Sequence, residues 1–213
     1  EYDVIPMITH TRADVEQTEA AIEAGARHAT HFYDVFHAPD ETEPGARPVG
    51  CVEAILADRR VSVDFIADGV HVHPAAIRAS LAAKGYENLM LITDSQIGAG
   101  LPPGTYDTPW GFRIKIAAND AARIADEDKP SCGHLAGSTL TMDRGIRNLH
   151  QWLDLPEAQV WAMGSLNPAR LLGLEKKGDI AAGMDADVVL WDSDGQAFST
   201  WVGGERVFCR EQG

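Results

Sequence analysis

The sequence predicts an α/β fold of parallel strand–helix units that gives way, near its end, to an all-β tail. Three observations carry this. Short apolar runs alternate with helical segments through the first half. Each of those runs stops at a side chain suited to chemistry. The last stretch holds three β-type runs with a Gly-Gly turn between two of them.

Taken in order, Val4 to Thr9 reads as a buried strand. A helix is expected from about Arg12 to Ala24, with Thr11 as its N-cap and Gly25 as its stop. Val15, Ile22 and the alanines give it a buried side. Ala26 to His31 reads as a second short strand, followed by a long loop rich in proline and acid. The run GCVEAILAD from Gly50 is a short helix, and VSVDFIA from Val61 a third strand. Pro74 opens a helix that runs to about Lys84 and stops at Gly85. LMLIT, from Leu89, is a fourth strand. Beyond Asp94, GAGLPPG is a loop and WGFRIKIA, from Trp110, alternates like an exposed strand. TLTMDRGIRNLHQWL and PEAQVWAMGSL read as helices. DVVLW, FSTWV and ERVF form the tail, with Gly203-Gly204 as a hairpin turn. There is no internal repeat.

The strand ends are where the sequence becomes specific. The first strand ends at His10 and the second at His31. The third runs into Asp68-Gly69-Val70-His71, and the fourth ends at Asp94. In a parallel barrel such ends share one face, where active sites are built. Neutral imidazoles suit zinc or iron, and a carboxylate beside activated water can take its proton. A lone strand-end histidine is more often a hydrogen-bonded structural residue, and an aspartate after a strand is commonly a helix N-cap. The pattern alone leaves the metal-hydrolase reading and the structural reading both standing. His28 lies three residues before His31. Strand alternation puts it on the opposite face, in a structural role against the surrounding helices. His37 lies in a loop. His71-Val72-His73 is expected to split into a site residue and a helix-entry residue. His134, beside LAGS, is a loop histidine, and His150 sits on a helix in a structural role.

The bulk numbers exclude some classes. A formal net charge of −14 argues against nucleic acid or an anionic membrane as partner, because phosphates need lysine and arginine. Three cysteines, far apart and without a CxxC pair, argue against a disulfide framework or a thiolate zinc site and fit a reducing cytoplasm. No apolar run is long enough to span a membrane, and no signal peptide is visible. The first residue is Glu1, and a strand-like run follows almost at once, as in the interior of a longer protein.

At this point the motifs resemble a known family. ATHFYD is similar to the ATHLYNAM motif of the N-acetylglucosamine-6-phosphate deacetylases, within the amidohydrolase superfamily. EPG, IADGVHV, LITD and LAGSTLTMDRGIRNL have counterparts there in the same order. So do NPARLLGL, the following GDIAAGMDADVVLWD run and TWVGGERV. The NPA segment and the run after it are shared widely among amidohydrolases. ATHFYD, ADGVHV and LAGSTLTM are more diagnostic. The likeness covers essentially the whole chain, but only the C-terminal portion of the family's length.

The resemblance implies the C-terminal half of a (β/α)8 TIM-like barrel over 1–177, with strands of a small β-sandwich domain over 178–213. It implies His10 and His31 as metal ligands, zinc most readily and iron as the other choice, and Asp94 as the catalytic carboxylate. Asp34 and Val35, then Asp68, Gly69, Val70 and His71, then Leu135, Ala136 and Gly137, match its substrate-binding segments. A further metal ligand, a glutamate on an earlier strand, would lie upstream of Glu1. The implied reaction is hydrolysis of the acetamide of an N-acetylated amino sugar, N-acetylglucosamine-6-phosphate or a close relative, by a cytoplasmic homodimer. With a ligand and half the barrel outside it, this stretch alone is expected to be inactive.

One departure bears on the substrate. The family has an arginine before Glu-Pro-Gly that grips the sugar phosphate, where this chain has Thr42, and Asp34 stands at the family's usual asparagine. Arg47 is the nearest substitute. A hydroxyl cannot replace a charge-assisted phosphate contact, so a substrate with an altered or absent phosphate is expected. The competing readings are an amidohydrolase acting on N-acyl amino acids or cyclic amides, and a catalytically silent sugar-binding homologue.

Overall fold

The computed structural model describes residues 4–118 and 121–210. Its centre is a four-stranded parallel sheet in the order β1-β2-β3-β4. The strands are β1 (Met7–Ile8), β2 (His28–Ala29), β3 (Ser62–Ile66) and β4 (Leu89–Ile92). Neighbours in sequence are neighbours in the sheet, and parallel pairing requires a crossover between each pair. Those crossovers are α1 (Val15–Glu23), α2 (Cys51–Ala57) and α3 (Pro74–Lys84). Every residue of β3 is buried, as expected for a strand covered on both faces.

The helices show why they start and stop where they do. α1 begins at Asp14, whose carboxylate accepts the Gln17 amide while the Gln17 side chain returns to the Asp14 amide. The cap is therefore Asp14, with Thr11 accepting only the Ala13 amide. The shift follows from Gln17, which completes a reciprocal pair that Thr11 cannot make. α3 has Pro74 in its first turn, is capped by His73 Nδ1 on the Ala75 amide and ends at Gly85, φ 75°. His73 is thus the helix-entry residue that the HVH spacing predicts.

β1 departs from expectation. It covers two residues, with Val4 71% and Met7 43% exposed. Among the described residues it pairs with β2 alone, so its apolar residues lack the cover that buries β3. The core lies between the sheet and its helices and includes Ile22, Ile55, Val63, Phe65, Ile77 and Leu91, with Ile146, Leu149 and Met163 closing it from α4 (Met142–Trp152) and α5 (Glu157–Met163).

Between β4 and α4 lies a small antiparallel sheet of β5 (Gly104–Asp107), β6 (Arg113–Ile116) and β7 (Arg123–Ile124). β6 is the alternating strand expected there, with Ile114 and Ile116 buried and Arg113 and Lys115 exposed. After α5, α6 (Leu166–Leu171) is an element the sequence reading did not separate. Asn167, 1% exposed, ties it to the sheet by donating to the carbonyls of Tyr86 and Leu89 at 2.7 and 2.9 Å. The tail forms an antiparallel sheet of β8 (Val188–Trp191), β9 (Ala197–Val202) and β10 (Glu205–Cys209), with Gly203 and Gly204 at positive φ in the last turn. Among the described residues no helix is long and apolar enough to cross a membrane, and all three cysteines are free thiols.

Candidate active site

His10, His31 and Asp94 follow the C-terminal ends of β1, β2 and β4, and all three have left-handed backbones, with φ of 43°, 35° and 46°. This region is sterically unfavourable for a residue with a Cβ and is found where surrounding structure enforces it, often at functional sites. Tyr33 and Val35 share it, at 79° and 58°. The chain turns sharply as it leaves each strand, and the turn brings separate strand ends together.

The His10 and His31 rings meet, with centroids 4.6 Å apart and planes tilted by 44°. His31 Nε2 lies 3.1 Å from Thr9 Oγ1. His31 Nδ1 is buried and has no hydrogen-bond partner. A buried imidazole nitrogen without a partner is costly, and beside a second imidazole it fits a divalent metal. Zinc and iron both accept nitrogen ligands of this kind. Among the described residues no group of three or more His, Cys, Asp or Glu side chains is placed to hold a metal ion, so the pair supplies part of a ligand set.

Asp94 belongs to the same electrostatic neighbourhood. Desolvation raises its pKa, His31 and His71 pull it down, and the Asp34 and Asp64 carboxylates push it up; the net direction is upward. A raised carboxylate is a stronger base once ionised. Asp68 and His71 form a buried pair, with Nδ1–H donating to Asp68 at 2.7 Å. The other Asp68 oxygen accepts the Val70 and His71 amides. Burial works against both charges, but the Asp68 contact outweighs it and holds His71 above its ordinary value, helped by Asp34 and Asp94. The same contacts hold Asp68 below the usual carboxylate range despite its burial. Gly69 takes φ 78° in this turn, over the Trp152 ring.

The LAGS segment lies along the chain that leaves β4. The Ser138 amide donates to the Asp94 carbonyl at 2.7 Å, and the Gln96 amide donates to the Ser138 carbonyl at 2.8 Å. Gly137, φ 67°, is packed so closely that a Cβ there would sit 2.7 Å from the Asp94 carbonyl oxygen. Ala136 donates to Ala122, and Leu135 bridges Arg123. Asp34 donates its amide to the His31 carbonyl at 2.9 Å, and Val35 is 42% exposed beside it. The structure therefore gathers His10, His31, Asp34, His71, Asp94 and Gly137 at one end of the sheet. His37, His73 and His134 are exposed, and His150 packs on Trp161.

His28 is buried as expected, but not against helices. It is hydrogen-bonded within the sheet, to Ser62 at 2.7 Å and Asp64 at 2.8 Å. Parallel pairing places His28 opposite Ser62, which brings it beside β3. Asp64 and Thr9 are the site neighbours that sequence reasoning missed. The available signal was a charged residue inside the apolar run VSVDFIA.

Arg47, the nearest cation to Thr42 in sequence, donates to Glu53 at 2.6 Å in an ion pair whose guanidinium is exposed.

Comparison with known proteins points to one family. N-acetylglucosamine-6-phosphate deacetylase of Vibrio furnissii is 37% identical over 203 residues, covering 95% of this chain and 47% of that protein. N-acetylgalactosamine-6-phosphate deacetylase of a Shewanella species is 34% identical over 203 residues, covering 95% and 48%. A mutant of the Mycobacterium smegmatis N-acetyl-D-glucosamine-6-phosphate deacetylase, solved with N-acetyl-D-glucosamine-6-phosphate, matches with a TM-score of 0.82 and 36% identity, covering 96% of this chain and 51% of that one. The Thermotoga maritima N-acetylglucosamine-6-phosphate deacetylase matches with a TM-score of 0.83 and 30% identity, covering 98% and 54%. The chain spans about half the length of these relatives. A model of the amidohydrolase family matches residues 5–207, a span that holds the sheet, its strand-end site and most of the β tail. With nearly every element inside that match, the chain belongs to the amidohydrolase family.

Proposed function

We propose that the protein carrying this chain hydrolyses the acetamide of an N-acetylated amino sugar, releasing acetate and the free amine. The observation that carries the reading is the His10–His31 pair, with an unpartnered buried nitrogen, beside a carboxylate whose pKa is raised. The names of the relatives support the substrate class.

His10 and His31 would hold a divalent metal, zinc first and iron as the alternative, whose Lewis acidity would activate water and polarise the acetamide carbonyl. Asp94 accepts the proton of the attacking water and delivers it to the departing amine, as base and then acid. His71, its Nδ1–H fixed on Asp68 and its pKa raised, binds the substrate and stabilises charge developing on it. Asp34, Val35 and the Leu135–Ala136–Gly137 segment line the sugar's position. Residues 1–177 form the C-terminal half of a (β/α)8 barrel, and 178–213 contribute strands to a small β-sandwich domain. The complete protein is a cytoplasmic homodimer. It has no nucleic-acid or membrane partner.

The test is metal content and acetate release from N-acetylglucosamine and from its 6-phosphate by the full-length protein, beside His31→Ala. Stoichiometric metal and turnover, both lost in the variant, are expected. Bound metal without turnover of any N-acetylated amino sugar would move the substrate to other N-acyl compounds, and an intact protein without metal would overturn the reading.

A second reading concerns the phosphate. Thr42 carries no charge, and Asp34 acts electrostatically on both His71 and Asp94. These favour an amino sugar without a 6-phosphate. Turnover of N-acetylglucosamine is compared with that of its 6-phosphate; a strong preference for the phosphorylated sugar would sink this refinement alone.

A further inference from the structure

β3 carries a carboxylate where none is expected. Asp64 is 5% exposed in a strand whose five residues are all buried. An isolated ionised carboxylate in such a place is strongly unfavourable, so its partners have to be several and close. They are. His28 Nε2–H donates to one oxygen at 2.8 Å. The Thr30 hydroxyl donates across both, at 3.0 and 3.2 Å. The His31 amide donates to the other at 2.5 Å. His28 is itself braced, with Nδ1 2.7 Å from Ser62 Oγ, whose single proton is shared between that nitrogen and the Arg27 carbonyl at 3.2 Å.

The last of these contacts is the informative one. The Thr30 amide still bonds to the Ile8 carbonyl, but β2 pairing has ended at Ala29. One residue later the chain turns into the left-handed conformation, and the His31 amide has no strand to donate to. The Asp64 carboxylate takes the place of that missing strand. It meets the peptide group of the residue whose imidazole faces His10. A hydrogen bond to a charged acceptor is worth roughly twice one to a neutral acceptor, enough to offset the ~1–2 kcal/mol of a left-handed residue with a Cβ.

We propose that Asp64, braced by His28, is the positioning residue of His31: it fixes the strand-end turn that aims the imidazole and thereby sets the affinity of the metal site. This rests on the reading of His31 as a metal ligand. Neither Asp64 nor His28 contacts the reacting atoms; both act through the His31 backbone. A buried pair with only a packing role could be exchanged with little effect on the site. A positioning pair could not, because orienting partners of metal ligands are typically worth about 10–100-fold in metal affinity.

The experiment uses the full-length protein and three variants. Asp64→Ala removes the acceptor. Asp64→Asn keeps an oxygen for the His31 amide, with His28 adopting its other tautomer. Ser62→Ala damages the same buried network but leaves the carboxylate on His31, and so serves as the control for lost stability. Two quantities are read: hydrogen exchange of the segment containing the His31 amide in metal-free protein, and zinc affinity by competition with a chelating dye. Asp64→Ala is expected to speed that exchange and weaken zinc binding about 10-fold or more. Ser62→Ala is expected to stay within about 2-fold of wild type in zinc affinity despite a lower melting temperature, and Asp64→Asn to recover most of the loss. Equal losses in Asp64→Ala and Ser62→Ala would overturn the proposal, as would unchanged zinc affinity in Asp64→Ala. If Asp64→Ala does not fold, Asp64→Leu, which keeps the side-chain volume but offers the His31 amide no acceptor, takes its place in the same comparison with Ser62→Ala. Wild-type protein that binds no zinc or iron would overturn the metal reading and the affinity claim together, while the exchange data would still show separately whether Asp64 holds the His31 turn.

Discussion

Lys84 offers a quantitative test of how this fold is held. Its ammonium is 5% exposed and donates to two carbonyls, Ile55 at 2.6 Å and Asp58 at 2.8 Å, at the C-terminal end of α2. Burial pushes its pKa down to about 8, against a smaller upward pull from Asp58. An unfolded lysine titrates near about 10.4. Below the folded value the group is charged in both states, and its burial penalty of about 3 kcal/mol is fully present. Between the two values the unfolded chain holds a proton that the folded one has released, so stability from this group rises with pH. Going from pH 7 to 10 the gain is about 2.5 kcal/mol. Lys84→Met removes the penalty together with both hydrogen bonds, each worth about 1–3 kcal/mol when a carbonyl is left unpaired. The two proteins should therefore be close in stability at pH 7. At pH 10 the wild type should gain about 2.5 kcal/mol on the variant, because a neutral amine still donates to both carbonyls. Urea unfolding of both proteins at both pH values gives the double difference, in which groups common to both cancel. A difference that does not change with pH would refute the burial argument.

The site and its supports make further predictions. Gly137→Ala places a Cβ 2.7 Å from the Asp94 carbonyl at a positive φ; kcat/KM should fall about 10–100-fold with the protein still folded, as steady-state kinetics beside circular dichroism will show. Asp94→Asn should retain metal and lose about 10²–10⁴-fold in kcat, and undiminished turnover would remove Asp94 from its role. Asn167→Ala strips the Tyr86 and Leu89 carbonyls of their donor and should lower unfolding free energy by about 2–4 kcal/mol, read from the urea midpoint.

What the sequence made legible depended on how local the cause was. β3 and β4 are continuous apolar runs, and α3 is bracketed by Pro74 and Gly85, so neighbouring residues define them. The Gly203-Gly204 turn is equally self-contained. β1 was legible as a strand but its two-residue length was not, since how far pairing runs depends on the neighbouring strand. β5 hid behind a Gly-Pro loop, because its four residues acquire strand character only by pairing with β6. α6 was obscured by Pro168 inside a six-residue helix. In the site, His10, His31 and Asp94 stood out because each follows an apolar run. Asp64 did not, because its meaning comes from lying beside His28 across two paired strands, and register between strands is not written in either one.

The left-handed backbone at His10, His31 and Asp94 also shapes how this protein can evolve. At each position glycine is the residue the main chain would prefer, by about 1–2 kcal/mol. Mutational drift under selection for robustness alone would thus run toward glycine at the three places where the proposed chemistry needs side chains. Variants drawn from a thermostability screen should be enriched in such losses, and an engineer seeking a hardier protein should exclude these codons from randomisation.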